Sequence, residues 1–238
     1  MKTIKLVIIL IAFTSISYSQ EKKTNKEQQH EKERVLNKEL KNDLVAILDT
    51  IYNTDQNQLG KIRELQNKFG VKSDEATVES KIFDENHKIN LYKIEKIINE
   101  YGWLGVDSVG EQGNYTLFLI IQHSDYNTHI KYLPVLRKAV KKGNARPMDL
   151  AYLEDRVISQ QGKTQIYGSQ IKYYPETKSF DVWPIADPEN VDKRRALIGL
   201  GPLEPHLKNR FGIVWDLEKQ IERTAKFEAN PIIDKEKR

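Results

Sequence analysis

The 238-residue chain contains no cysteine. That absence excludes disulfides, a thiolate-held metal, a thiol nucleophile and lipid attachment through sulfur. Charge of one sign is not in large excess, with 38 Lys and Arg against 34 Asp and Glu. A surplus of this size does not point to nucleic acid as a partner. Long apolar runs are also scarce. The stretch Leu6–Phe13 is eight residues long, well short of the roughly 20 a membrane-spanning helix needs. No glycine-rich phosphate loop, no His-Glu-x-x-His and no Gly-x-Ser-x-Gly elbow occurs, so nucleotide chemistry, a zinc protease and a Ser-His-Asp hydrolase have no sequence support. What is present is 39% hydrophobic and 30% charged residues, the balance of a polar globular chain.

The first residues carry an address. Lys2 and Lys5 precede the apolar run Leu6–Phe13, and Ser17-Tyr18-Ser19 places small residues before Gln20. This order predicts a secretory signal peptide over 1–19 with cleavage before Gln20. Removing it leaves 36 basic and 34 acidic side chains. The expected product is exported, periplasmic or extracellular, without a membrane span. Residues 20–33 are nearly all charged or polar and read as a linker that cannot bury enough apolar surface to order itself.

From 34 to 227 the dominant signal is helical. Leu36, Leu40, Leu44, Ile47, Leu48 and Ile51 recur at spacings of three and four. Asn53-Thr54-Asp55 is expected to interrupt that helix, and Leu59, Ile62, Leu65 and Phe69 to begin a second, stopped at Gly70. Ser73 or Asp74 caps a third, whose pattern continues through Ile94, Ile97, Ile98 and Tyr101 to Gly102. Trp103–Gly110 reads as a turn region. Tyr115–Gln122 is apolar nearly all round and reads as a buried central helix, with a buried strand as the alternative. A helix from Asn127 or Thr128, with Pro134 in its early part, ends at Gly143. Another opens with Pro147 at its first position and closes near Gly162. β-branched and aromatic residues then dominate Thr164–Tyr174 and Ser179–Ile185 around a Pro175–Lys178 turn, which predicts a hairpin. Asp187-Pro188 starts a helix, a last one covers about 213–227, and 228–238 is a polar tail. The expected fold is mainly α, a single helical-bundle-like domain with one small β-hairpin near 164–186. No residue-level repeat supports a helical array.

Five histidines are present, at 30, 87, 123, 129 and 206. His30 falls in the charged linker, and His87 among polar residues of a helix. His123 stands out because it ends the most apolar helix, in Gln122-His123-Ser124-Asp125. There it either closes the helix, with Asp125 capping the next one, or presents an imidazole for chemistry. Glu154-Asp155-Arg156 is a second polar cluster inside a helix. Asp155 is expected to accept a hydrogen bond from His123, and Arg156 to offer its fork to an anion; a buried structural ion pair is the plainer alternative. Gln165, Tyr167 and Ser169 share a face of the expected strand, with Gln170 on the other face unless a bulge forms at Gly168. His123, Asp125 and His129 are a candidate metal set, but no recognised spacing supports one, and neither a metal nor a cofactor is expected.

These pieces, in order, are Asp55-Gln56, Tyr101-Gly102-Trp103, Gln122-His123-Ser124-Asp125, Leu133-Pro134, Tyr152-Leu153-Glu154-Asp155-Arg156 and Gly162-x-x-Gln165-x-Tyr167-Gly168-x-Gln170. In them the chain resembles a family of uncharacterised bacterial proteins, many with signal peptides, classed as a domain of unknown function. The resemblance covers about 40–210. Ser169 stands where that family usually has Thr. The resemblance implies no activity, but it implies that the three polar clusters belong together.

Three function classes follow. One is a binding module with a polar groove for a polar or anionic ligand, a glycan or a cell-envelope protein. The second is an exported hydrolase or lyase with His123 as general acid/base, Asp155 as its orienter, and Arg156, Gln165 and Gln170, with Asp125 at the margin, holding substrate. The third is a purely structural role.

Overall fold

Helices carry most of the structure, as the recurring three-and-four spacing of apolar residues requires. The computed structural model describes residues 37–174 and 177–229. The expected signal peptide, the linker and the tail beyond 229 lie outside these residues, as do Pro175 and Glu176 of the hairpin turn. The chain divides into two units, 1–47 and 48–238. Of the first, the described part is the helical stretch 37–47. The second holds everything that follows.

Helix α1 covers 37–69 without a break at 53–55. The expected interruption does not occur because its polar side chains find partners within or across the helix. The Thr54 hydroxyl donates to the Thr50 carbonyl, and Asp55 is buried against other side chains. Helix α2 is Asp74–Tyr101, capped by Ser73, whose hydroxyl accepts from the Ala76 N–H. Helix α3 is Val106–Gln122, with a non-helical Gly110 (φ 72°) dividing a first turn from the apolar body. The backbone is helical from Glu111 to Gln122, so the helical rather than the strand reading holds, and Thr116 to Gln122 is buried throughout. Helix α4 is Tyr126–Lys141, capped by Asp125. Pro134 lies in its interior rather than its first turn, where it removes one backbone donor from the ladder. Helix α5, Pro147–Gln160, opens with proline as expected. Helix α3 packs against α2, α4 and α5, with Leu117, Ile120, Ile121, Leu136 and Leu153 fully buried.

The hairpin is shorter than its β-rich sequence. Strand β1, Ile171–Tyr174, pairs antiparallel with β2, Ser179–Val182. Residues 165–170 form an irregular loop touching the second arm at one bridge, Gln165 to Ile185. Pro188–Asn190 is a 3-10 turn that runs into α6, Val191–Leu197. Helix α7, Leu203–Phe211, falls where no helix was expected, and α8, Leu217–Ala229, starts later than its apolar spacing suggested. Val182, Ile185, Val191, Leu203, Leu207 and Ile213 form a second apolar cluster beneath the hairpin. No helix among the described residues is long and apolar enough to cross a membrane.

Candidate functional site

The end of α3 sets the site. An apolar helix emerging from a core exposes its last side chains while the core fixes their origin. His123, at that end, keeps 27% of its side chain exposed. Its Nδ1 lies 3.2 Å from Oδ1 of Asp55, on α1, whose side chain is fully buried. The Asp55 Oδ2 accepts from the Gln56 amide at 2.8 Å. A carboxylate that can only accept requires Nδ1 to carry the proton in this pair. In its neutral form the ring then presents a bare Nε2, a base held in one orientation by a buried carboxylate.

A second imidazole adjoins this pair. His87 of α2 stacks on Phe83, with ring centroids 5.8 Å apart, and Phe83 meets His123 edge-on at 6.4 Å. The His87 Nε2 lies 3.0 Å from the Ser124 hydroxyl, which donates to the Ile120 carbonyl at 2.7 Å. The hydroxyl has one proton and spends it on that carbonyl, so His87 Nε2–H is the donor to Ser124. Nδ1 of His87 is left buried and without a hydrogen-bond partner among the described residues. Burial lowers the His87 pKa, as does any charge on the neighbouring His123 ring, with Asp55 and Asp84 opposing. Burial therefore favours the neutral His87 ring, and Ser124, with its proton on the Ile120 carbonyl, is a bridge rather than a nucleophile poised for deprotonation.

Arg156 reaches the same helix end from α5. With the Gln122 amide turned so that its oxygen faces the guanidinium, that oxygen accepts from Nε at 2.7 Å and Nη2 at 3.1 Å. Burial pulls the Arg156 pKa below its usual value, yet guanidinium stays charged in proteins. Its hydrogen-bond partner is thus a neutral amide, which leaves its positive charge uncompensated at that contact.

Asp155 and Gln165 sit in a different setting. Asp155 is fully buried, and its carboxylate accepts from the N–H groups of Ile166, Tyr167 and Ser169 at 2.7–3.1 Å. Burial raises its pKa, and these N–H bonds pull it back. The Gln165 amide donates to the Gln170 and Trp183 carbonyls and accepts from the Gln170 N–H. Arg194 and Arg195 bind the Ile166 and Tyr167 carbonyls from the other side. Gly168, at φ 73°, lets the loop turn under Leu203. The 165–170 loop is thereby a closed knot that joins α5, the hairpin and α6. Gln170 bonds to the Ser169 hydroxyl within it. Asp125 accepts from the Thr128 N–H as a helix cap, and that bond lowers its pKa. His129 is fully buried with Nδ1 on the Gln160 amide. Among the described residues no group of three or more His, Asp or Glu is placed to hold a metal.

The structure thus brings His123 to Asp55 and His87, and brings Gln122 to Arg156, while Asp155 holds the Ile166, Tyr167 and Ser169 N–H groups and Gln165 bonds the Gln170 backbone. Sequence reasoning missed Asp55 and His87 as functional groups. The signal was there: Asp55 continues the buried spacing Leu48, Ile51, Asp55, and His87 continues Phe83, His87, Asn90, Ile94. A polar residue on an apolar stripe is either paired or functional.

Comparison with known proteins adds a family and no activity. Residues 43–213 match the profile described as Family of unknown function (DUF6624). No curated protein and no solved structure matches the chain.

Proposed function

Because the chain belongs to DUF6624, a family of unknown function, the site has to speak for itself, and we propose that the protein is an exported acid–base enzyme, a hydrolase or lyase. His123 is its general base and acid, and Asp55 is its orienter. The observation that carries this is the contact between the buried Asp55 carboxylate and Nδ1 of the partly exposed His123. With Nδ1 on Asp55, the other nitrogen of this partly exposed ring is the one available for proton transfer to or from a bound substrate. The Lys2, Lys5 and Leu6–Phe13 pattern supports export. The uncompensated guanidinium of Arg156 supports a substrate with negative charge.

The test uses two probes. Carbethoxylation by diethyl pyrocarbonate should mark His123 faster than His87 or His129, since it attacks a bare, accessible imidazole nitrogen. Hydrolysis of p-nitrophenyl acetate should fall to background in His123→Gln with the helical circular dichroism unchanged. Unmarked His123, or full esterase rate in that variant, refutes the assignment.

Arg156 also favours a second reading, ligand binding without turnover. In that case inorganic phosphate should raise the melting temperature of the wild-type chain and leave Arg156→Ala unmoved.

A further inference from the structure

Helix α2 carries two apolar stripes. At 3.6 residues per turn, Ala76, Ile94, Ile97 and Ile98 fall on its buried side. Val78, Ile82, Ile89 and Tyr92 fall on the opposite side, within about 40° of one line. These four are 57%, 41%, 54% and 68% exposed. A helix in water needs one apolar face, not two. A second stripe of β-branched and aromatic side chains, interrupted midway by Glu85, marks a contact surface.

Two features say what covers it. The spacing along the stripe is nearly the same from either end: four, seven and three residues. The exposed charges are unevenly divided: Asp74, Glu75, Asp84 and Glu85 with one Lys81 in the first half of the helix, and Lys88, Lys93 and Lys96 with one Glu100 in the second. An antiparallel copy of the same helix satisfies both. If Ile82 faces Ile89 of the second copy, Val78 comes beside Tyr92 of the second copy. Glu75 then meets Lys96 of the second copy. Each contact occurs twice about a two-fold axis, as an isologous interface requires.

We infer that the exposed α2 stripe is a self-association surface, and that two copies of this chain pair antiparallel through Val78, Ile82, Ile89 and Tyr92. This rests on nothing assumed about the His123 site. The interface is a single helix from each copy, so association is weak and depends on concentration. The register carries a signature of its own. It brings the two Glu85 side chains together near the axis, where like charges oppose pairing.

Sedimentation equilibrium of the purified chain over about a hundredfold concentration range reads the association directly. The expected result is a rise from monomer toward dimer mass. Ile82→Glu with Ile89→Glu should hold the chain monomeric with an unchanged melting curve. Val78→Lys with Tyr92→Lys repeats the test at the ends of the stripe should the first pair fail to fold. Glu75→Lys should weaken pairing about tenfold, since two contacts per dimer turn repulsive, and adding Lys96→Glu should restore it. Glu85→Gln should tighten it a few-fold. A monomer at every concentration, a dimer that survives the stripe substitutions, or a charge swap without rescue would overturn the proposal.

Discussion

Replacing Asp155 and its neighbour Arg156, one at a time, separates architecture from site. Asp155 serves three backbone donors, Ile166, Tyr167 and Ser169, from a fully buried position. In Asp155→Ala these N–H groups lose their acceptor inside a loop whose carbonyls stay clamped by Arg194 and Arg195. Each buried, unsatisfied donor costs about 1–3 kcal/mol. Partial access of water and removal of a buried charge offset some of that. The expected loss is about 3–5 kcal/mol, or roughly 10–15 °C in Tm for a chain of this size. Asp155→Asn keeps one accepting oxygen and should fall between. Arg156→Ala frees only the Gln122 amide and should cost about 1 kcal/mol. Urea unfolding followed by circular dichroism measures all three. If Asp155→Ala unfolds within about 1 kcal/mol of wild type, the loop does not hang on that carboxylate. If Arg156→Ala costs as much as Asp155→Ala, Arg156 is part of the scaffold and its assignment to substrate fails.

Three further outcomes are expected. His87, His129 and His206 have pKa values lowered from 6.5, chiefly by burial. The unfolded chain therefore binds protons the fold excludes. Their contribution to stability is complete above 6.5 and is lost as pH falls through the lowered values, so urea midpoints should drop between about pH 7 and pH 5, less so in His129→Gln. Gly168→Ala forces a side chain at φ 73° and puts its Cβ 2.9 Å from Leu203 Cδ2 and 3.1 Å from Ile185 Cδ1; a loss of about 2–4 kcal/mol in the same assay is expected, and a neutral result would show that the loop relaxes freely. Asp55→Asn should lower the His123-dependent p-nitrophenyl acetate rate at least about tenfold, because an amide no longer selects the tautomer with Nε2 bare; an unchanged rate would mean that Asp55 is a packing partner alone.

The helices were legible in the sequence because their causes are local. Spacings of three and four, Ser73 and Asp125 as caps, Pro147 at a first turn and glycine stops act within a few residues of the chain, and the structure carries them out. The hairpin was legible for the same reason, though its first strand begins at Ile171, because Asp155 and Gln165 hold the preceding residues in a loop. Where propensity and tertiary contact disagreed, contact won. Asn53-Thr54-Asp55 reads as a break until Asp55 finds His123, 68 residues away. Leu203–Phe211 lacks a clear stripe but becomes a helix over the second apolar cluster, with Leu203 and Leu207 buried there.

The residues of the site divide in the same way. That His123 ends a buried helix and therefore meets both core and solvent follows from the chain alone. Which carboxylate it meets does not, because hydrogen-bond partners are chosen by whatever the packing of helices brings within about 3 Å. Asp155 and Arg156 look like one cluster in sequence, yet they point about 100° apart on their helix. One turns into the knot around Tyr167 and the other toward Gln122. Side-chain identity and local period fix what each element can offer. Only the tertiary structure decides which offers are taken up and by what: the Asp155 carboxylate by the backbone of the 166–169 stretch, Nδ1 of His123 by Asp55, and the Arg156 fork by Gln122.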